Sequence, residues 1–176
     1  MLEIRPLRPE DRRTEFSSGN LDLDRFFQKY AGQNQFRLHL GTTYVAVESE
    51  RILGYVSLAA CSITVDQLAK KQRKRLPKYP LPALRIARLA VAQDAQGGGV
   101  GSHLLRTAFS IAIDMSEKVG CVGIVVDAKQ DAIAFYEKLG FEQFEVLVGQ
   151  MDDRPSPTLM FLPMGSITPL RPERNG

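Results

Sequence analysis

The sequence predicts an α/β protein built on a mixed sheet, and three observations carry that reading. β-Branched and aromatic runs occupy Thr42 to Glu48 and Ile52 to Ser62; apolar residues recur at three- and four-residue spacing from Gly99 or Gly101 to Lys118; and a glycine-rich loop joins a strand to that helix in mid-chain. The predicted order is β, α, β, β, β, α, β, α, β, β. That is a sheet covered by helices rather than a regular βαβ array, and it disfavours a standard dinucleotide fold.

Taken in order, Leu2 to Leu7 alternates apolar and polar residues and reads as a first strand. Asn20, after Gly19, is placed to cap a helix carrying Leu21, Leu23, Phe26, Phe27 and Tyr30. Ser49, Glu50 and Arg51 separate the two strand-like runs as an antiparallel hairpin. Pro77, Pro80 and Pro82 exclude a helix interior, because proline lacks the N–H that a helix needs, so this stretch is an extended connection into a strand from Leu84 to Val91.

The long helix shows its apolar stripe at Val100, Leu104, Leu105, Ala108, Ile111, Ala112 and Met115, and Gly120 closes it. Cys121 to Val126 reads as a strand buried on both faces, and Asp131 to Leu139 as a helix ended by Gly140. Phe141 to Val148 and Thr158 to Pro163 complete the strands. Residues 1–164 are thus expected to form one domain, with 165–176 a flexible C-terminal tail.

A chain of 176 residues suits one α/β domain with a substantial core. No run approaches the roughly 18 apolar residues of a membrane span, and the start Met1, Leu2, Glu3, Ile4, Arg5 lacks a signal-peptide core, so a cytoplasmic protein with no membrane partner is expected. Cys61 and Cys121 lie in strand-like runs without metal-ligand spacing and read as buried free thiols; no metal is expected. The net charge is only +3, but Lys70, Lys71, Arg73, Lys74, Arg75 and Lys78 fall in one window. Such a block raises the local potential enough to attract RNA or cofactor phosphates; a solvated loop or helix end is the alternative.

Chemistry concentrates in the segment Arg88 to Gly101. Here a strand runs into Gln96, Gly97, Gly98, Gly99, Val100 and Gly101, and the loop runs into the long helix. Glycines let the main chain approach an anion without Cβ interference, and the first amides of a helix point at it with the positive end of the dipole. A P-loop is excluded, since Gly101 is followed by Ser102 and His103 with no phosphate-reaching lysine. A dinucleotide fingerprint requires its loop in the first βα unit, and this one follows four strands. Glycines serving only a tight turn leave unexplained why so many loop positions give up side chains.

Gln96 to Gly101, after Leu89, Ala90 and Val91, resembles the Q/R-x-x-G-x-G/A signature of the GCN5-related N-acetyltransferases, and Ala134 to Phe141 resembles that family's second signature. The resemblance implies the GNAT fold, a central and mostly antiparallel sheet splayed at the acetyl-CoA strand and flanked by helices. It implies that acetyl-CoA is the co-substrate, that amides of Gln96, Gly97, Gly98, Gly99, Val100, Gly101 and Ser102 hold its pyrophosphate, and that Leu89, Ala90 and Val91 pair with the pantetheine arm. Tyr136 matches the family's usual acid. A phenol of pKa ~10 is protonated at neutral pH and can donate to a departing thiolate of pKa about 8.5. The alternative for Tyr136 is a core aromatic beside Phe135 and Phe141. No Asp, Glu or His is placed as a base. His103 and His39 read as solvent-facing, and Asp127 and Lys129 as caps rather than catalysts, with substrate or CoA contacts the other reading.

Within the family, Phe16 to Phe27, Thr42 to Val47, Leu76 to Pro82 and Arg85 to Val91 resemble the acetyltransferase toxins of type II toxin/antitoxin pairs. Those enzymes acetylate the amino group of aminoacyl-tRNA. The resemblance implies charged tRNA as acceptor, a DNA-binding antitoxin as partner and a homodimer, and it assigns Lys70, Lys71, Arg73, Lys74 and Arg75 to substrate binding. Neutralisation of tRNA phosphates near the site gives that assignment a physical basis. An α-amino group esterified to tRNA has a lowered pKa, which suits a site without a base. A small amine, a protein N-terminus or a lysine is the alternative acceptor, and a non-catalytic acyl-CoA or RNA-binding module the alternative class.

Overall fold

The computed structural model describes residues 1–68, 76–144 and 158–167. Its strands are β1 (Glu3–Pro6), β2 (Thr42–Glu48), β3 (Arg51–Ile63), β4 (Leu81–Val91), β5 (Gly123–Ala128), β6 (Glu142–Gln143) and β7 (Thr158–Pro163). Its α-helices are α1 (Leu21–Arg25), α2 (Ala31–Phe36), α3 (Val100–Lys118), α4 (Ile133–Lys138) and α5 (Met164–Ile167). The strands form one sheet in the order β1-β2-β3-β4-β5-β7-β6, with antiparallel pairing of β1/β2, β2/β3, β5/β7 and β6/β7. The mixed, mostly antiparallel sheet flanked by helices is the architecture the sequence predicts.

The chain packs as two compact units: Met1–Ala59 with Ile86–Ser110, and Ala60–Arg85 with the chain from Ile111 onward. In the first unit, Phe16, Phe27 and Tyr55 form the aromatic centre, Phe27 stacking on Tyr55 at 4.5 Å between centroids. The Tyr55 hydroxyl donates to the Leu23 carbonyl at 2.7 Å, so its burial leaves no polar atom unsatisfied. In the second unit, Phe144 and Phe161 stack at 6.0 Å beside Val125, Leu68 and Leu81.

Local rules explain most boundaries. Asn20 is extended and its side chain accepts from the Leu23 amide at 3.1 Å, capping α1 as expected. The β2–β3 turn places Ser49 and Glu50 at φ 48 and 65, the two left-handed positions that a tight hairpin requires, here met without glycine. α3 ends where the amides of Val119 and Gly120 both donate to the Met115 carbonyl at 2.9 Å and Gly120 adopts φ 100.

Several expectations shift. The N-terminal helix is broken into α1, a π-helical turn over Phe26–Tyr30 and α2; of the apolar residues that pointed to it, Leu21 and Tyr30 are exposed and Phe26 and Phe27 are buried. β4 begins at Leu81 and includes Pro82, whose carbonyl accepts from the Val122 amide at 2.8 Å; the missing proline N–H costs the strand one donor, not its acceptor. β5 starts two residues later than predicted. The helix expected from Asp131 opens as a 3₁₀ turn over Gln130–Ala132, and Gly140 closes it at φ 94. Of the strand expected over Phe141 to Val148, Glu142–Gln143 pairs with β7, and residues 145–148 lie outside the described residues. Of the tail expected over 165–176, residues 165–167 lie in α5 with Ile167 buried, and residues 168–176 lie outside the described residues.

Candidate active site

The residues from Leu89 to Ser102 form one continuous structural feature. β4 ends with Ala90 buried and Leu89 and Val91 half-buried, and a 3₁₀ turn over Gln93–Ala95 follows. Gln96 is extended, Gly97 and Gly99 adopt φ 83 and 85, and α3 begins at Val100. A Cβ at Gly97 or Gly99 would meet nothing within 4 Å, so these two glycines answer to backbone conformation while the surface above them stays bare. Gly101 differs. Its nearest contact would be an ordinary 3.7 Å from Val91, and alanine there would favour the helix by ~1 kcal/mol. Packing at position 101 therefore does not itself require glycine.

The Val100 side chain is buried, leaving its amide as the group it can offer outward, whereas Ser102 is exposed and His103 faces solvent as expected. The first amides of α3 have no carbonyl a turn ahead to receive them, and with the helix dipole they make this end suited to an anion. A diphosphate fits a bare glycine surface beside such amides.

The end of β4 depends on a close approach invisible to motif reading. A Cβ on Gly54 of β3 would lie 2.9 Å from the Ala90 carbonyl and 3.0 and 3.1 Å from Val100 and Leu104, so only glycine lets β3 pass there. The loop is also braced by segment 17–20: the Gln93 amide donates to the Ser17 carbonyl at 3.0 Å, and Gln96 Nε2 to the carbonyls of Ser18 and Val91, each at 3.0 Å. The Gln96 side chain is thus turned to bracing, while the expectation for this residue concerned its main-chain amide. Outside the brace, Arg51 and Asp94 form an exposed ion pair, and the Arg88 guanidinium lies 3.9 Å over the Phe26 ring. The sequence reading assigned no role to Gly54 or Ser18, although it noted the Gly19–Asn20 turn and the run Phe16 to Phe27 around Ser18.

Tyr136 belongs to the second unit, on α4. It is buried, with edge-on contacts to Phe135 and Phe141 at 5.3 and 5.4 Å, and its carbonyl accepts from the Phe141 amide at 3.1 Å. The aromatic neighbours expected of a packing residue are therefore present. Burial pushes its phenol above the ordinary tyrosine value, so the hydroxyl keeps its proton, and with it the capacity to donate, through the neutral range.

Asp127 is not a cap: it lies within β5 and accepts from the Arg85 guanidinium, 2.9 Å from Nε. Lys129 precedes the 3₁₀ turn without a side-chain capping bond. Cys121 is buried and Cys61 half-buried, both free, with burial pushing both thiols up. Among the described residues no group of three or more His, Cys, Asp or Glu could hold a metal, and no helix is long and apolar enough to cross a membrane. Lys70, Lys71, Arg73, Lys74 and Arg75 lie outside the described residues.

Residues 39–143 match the model of the acetyltransferase (GNAT) domain. The chain belongs to this acetyltransferase family. Over 130 residues, 73% of this chain and 77% of its relative, it is 35% identical to a tRNA-acetylating toxin of Mycobacterium tuberculosis (strain ATCC 25618 / H37Rv). Among solved structures it resembles AtaT complexed with acetyl-methionyl-tRNAfMet, with a TM-score of 0.81 and 25% identity over 97% of this chain and 99% of that one. It also resembles AtaTR bound with AcCoA, with a TM-score of 0.77 and 28% identity over 96% and 97% of the two chains. This GNAT protein is an acetyl-CoA-dependent N-acetyltransferase, as its motifs implied.

Proposed function

We propose that this acetyltransferase transfers the acetyl group of acetyl-CoA to the amino group of aminoacyl-tRNA, acting in the cytoplasm as a translation-blocking toxin. The observation that carries the acceptor is the 35% identity, over most of both chains, to an enzyme that acetylates tRNA. The resemblance to toxin/antitoxin pairs adds a DNA-binding antitoxin and a homodimer to the proposal.

The amides of Gln96 to Ser102 hold the pyrophosphate; the bare surface at Gly97, Gly99 and Gly101 supports this role. The main chain of Leu89, Ala90 and Val91 aligns the pantetheine arm, and a strand amide there polarises the thioester carbonyl. Acetyl-CoA supplies the activated acyl group. The neutral acceptor amine bonds to the carbonyl carbon, the C–S bond breaks, Tyr136 gives its proton to the sulfur, and the proton lost by nitrogen passes through water to restore the phenol. An amine that is already largely neutral makes a protein base unnecessary. Lys70, Lys71, Arg73, Lys74 and Arg75 neutralise acceptor phosphates in this proposal.

Transfer of labelled acetyl from acetyl-CoA to a bulk charged-tRNA pool, beside a panel of polyamines and peptides, tests the acceptor. Label on charged tRNA, lost when the aminoacyl ester is hydrolysed beforehand, is the expected result. Label confined to amines or peptides makes the protein an acetyltransferase of small molecules or proteins instead.

A further inference from the structure

Asp24 is one of the buried polar residues of the described chain, 8% exposed on α1, and its contacts lead towards the glycine loop. Its Oδ1 accepts from both the amide and the hydroxyl of Ser18, at 2.9 and 2.6 Å. Ser18 Oγ accepts in turn from the Asn20 amide at 3.2 Å, closing the turn. The Ser18 carbonyl, oriented by these bonds, receives Gln96 Nε2 at 3.0 Å, and the neighbouring Ser17 carbonyl receives the Gln93 amide at 3.0 Å. Gly19 sits between them at φ 86, where a Cβ would lie 2.7 Å from Gln93 Nε2, so the turn and the loop are in direct contact.

A buried carboxylate is costly unless its hydrogen bonds repay the lost hydration. A carboxylate accepting two bonds from one residue holds that residue more tightly than a neutral acceptor can. Gln96 then has two anchors, one on β4 at the Val91 carbonyl and one on the Ser18 turn, and it is the residue from which Gly97 departs. With either anchor released, Gly97 and Gly99, conformationally the freest residues of the loop, wander, and the amides no longer converge on one point.

We infer that Asp24 is a positioning residue for acetyl-CoA: through Ser18 it fixes Gln96 and thereby the amides of the glycine loop. This rests on the reading of Gln96 to Ser102 as a pyrophosphate cradle. It ties α1, which carries no part of the family signature, to cofactor affinity, and it assigns the Ser17–Asn20 turn a role beyond capping.

The test compares displacement of labelled acetyl-CoA by CoA and by pantetheine, which lacks the pyrophosphate, in the wild type, Asp24→Asn, Ser18→Ala and Ser18→Thr, with the melting temperature of each recorded. The wild type should bind CoA far more tightly than pantetheine. Asp24→Asn and Ser18→Ala should weaken CoA about tenfold, a loss of roughly 1.4 kcal/mol, and leave pantetheine within twofold. Ser18→Thr keeps the hydroxyl and should recover CoA affinity. A wild type with no preference for CoA overturns the cradle itself. A preference kept intact in Asp24→Asn and Ser18→Ala overturns the positioning role and leaves the cradle standing, as does equal weakening of both ligands, which reports general damage. Should Asp24→Asn fail to fold, Ser18→Ala and Ser18→Thr decide alone.

Discussion

The glycine loop of the first unit and the Tyr136 helix of the second are built on opposite plans. The loop presents main chain. Its glycines remove side chains, its one buried side chain, Val100, points into the core, and its shape is set by hydrogen bonds from Gln93 and Gln96 and by the close passage of Gly54. α4 presents one side chain. Tyr136 is fixed by aromatic packing against Phe135 and Phe141, and burial keeps its phenol protonated. Under the proposed assignment the contrast divides the two tasks of an acyl transferase: binding a diphosphate takes several amides at once, whereas stabilising one leaving sulfur takes a single donor.

If that division holds, damage to the loop should appear in cofactor affinity. Gly99→Glu combines a left-handed position that side chains resist with a carboxylate beside the proposed pyrophosphate. Its acetyl-CoA affinity should fall by at least about a hundredfold, near 2.7 kcal/mol, measured by isothermal titration calorimetry. Near-normal binding would break the comparison, because the loop would then not be the phosphate site. Gly54→Ala is the finer probe. The added methyl presses on the Ala90 carbonyl and Val100, so a destabilisation of about 1–3 kcal/mol in urea unfolding and a smaller loss of acetyl-CoA affinity are expected. Unchanged stability would show that β3 gives way easily at that point.

The same division explains what could be read from the sequence. Hydrophobic period and turn residues placed β2, β3, α3 and β7 almost to the residue, because those elements follow local rules: the Thr158–Pro163 strand and the Val100–Lys118 helix needed no tertiary information. The loop was legible for the same reason, since the left-handed conformations at 97 and 99 are a local demand for glycine. The π-helical turn at Phe26–Tyr30 was not, because it arises where Phe26 and Phe27 are drawn into a core built with Tyr55 from a distant strand. Nor was the pairing of Arg85 with Asp127, which a local reading made a cap; it joins residues far apart in sequence. Gly54 and Asp24 act only through partners that the fold brings to them, and no pattern in one sequence announces such partners.

The most direct test of the account is Tyr136→Phe, with acetyl-CoA affinity measured by calorimetry and acetyl transfer to charged tRNA measured in a single turnover at saturating acetyl-CoA. Loss of a proton donor should slow transfer by about 10²–10⁴-fold while affinity stays within twofold of wild type. Transfer at the wild-type rate would contradict the account, leaving Tyr136 a core aromatic and the leaving sulfur protonated by another group.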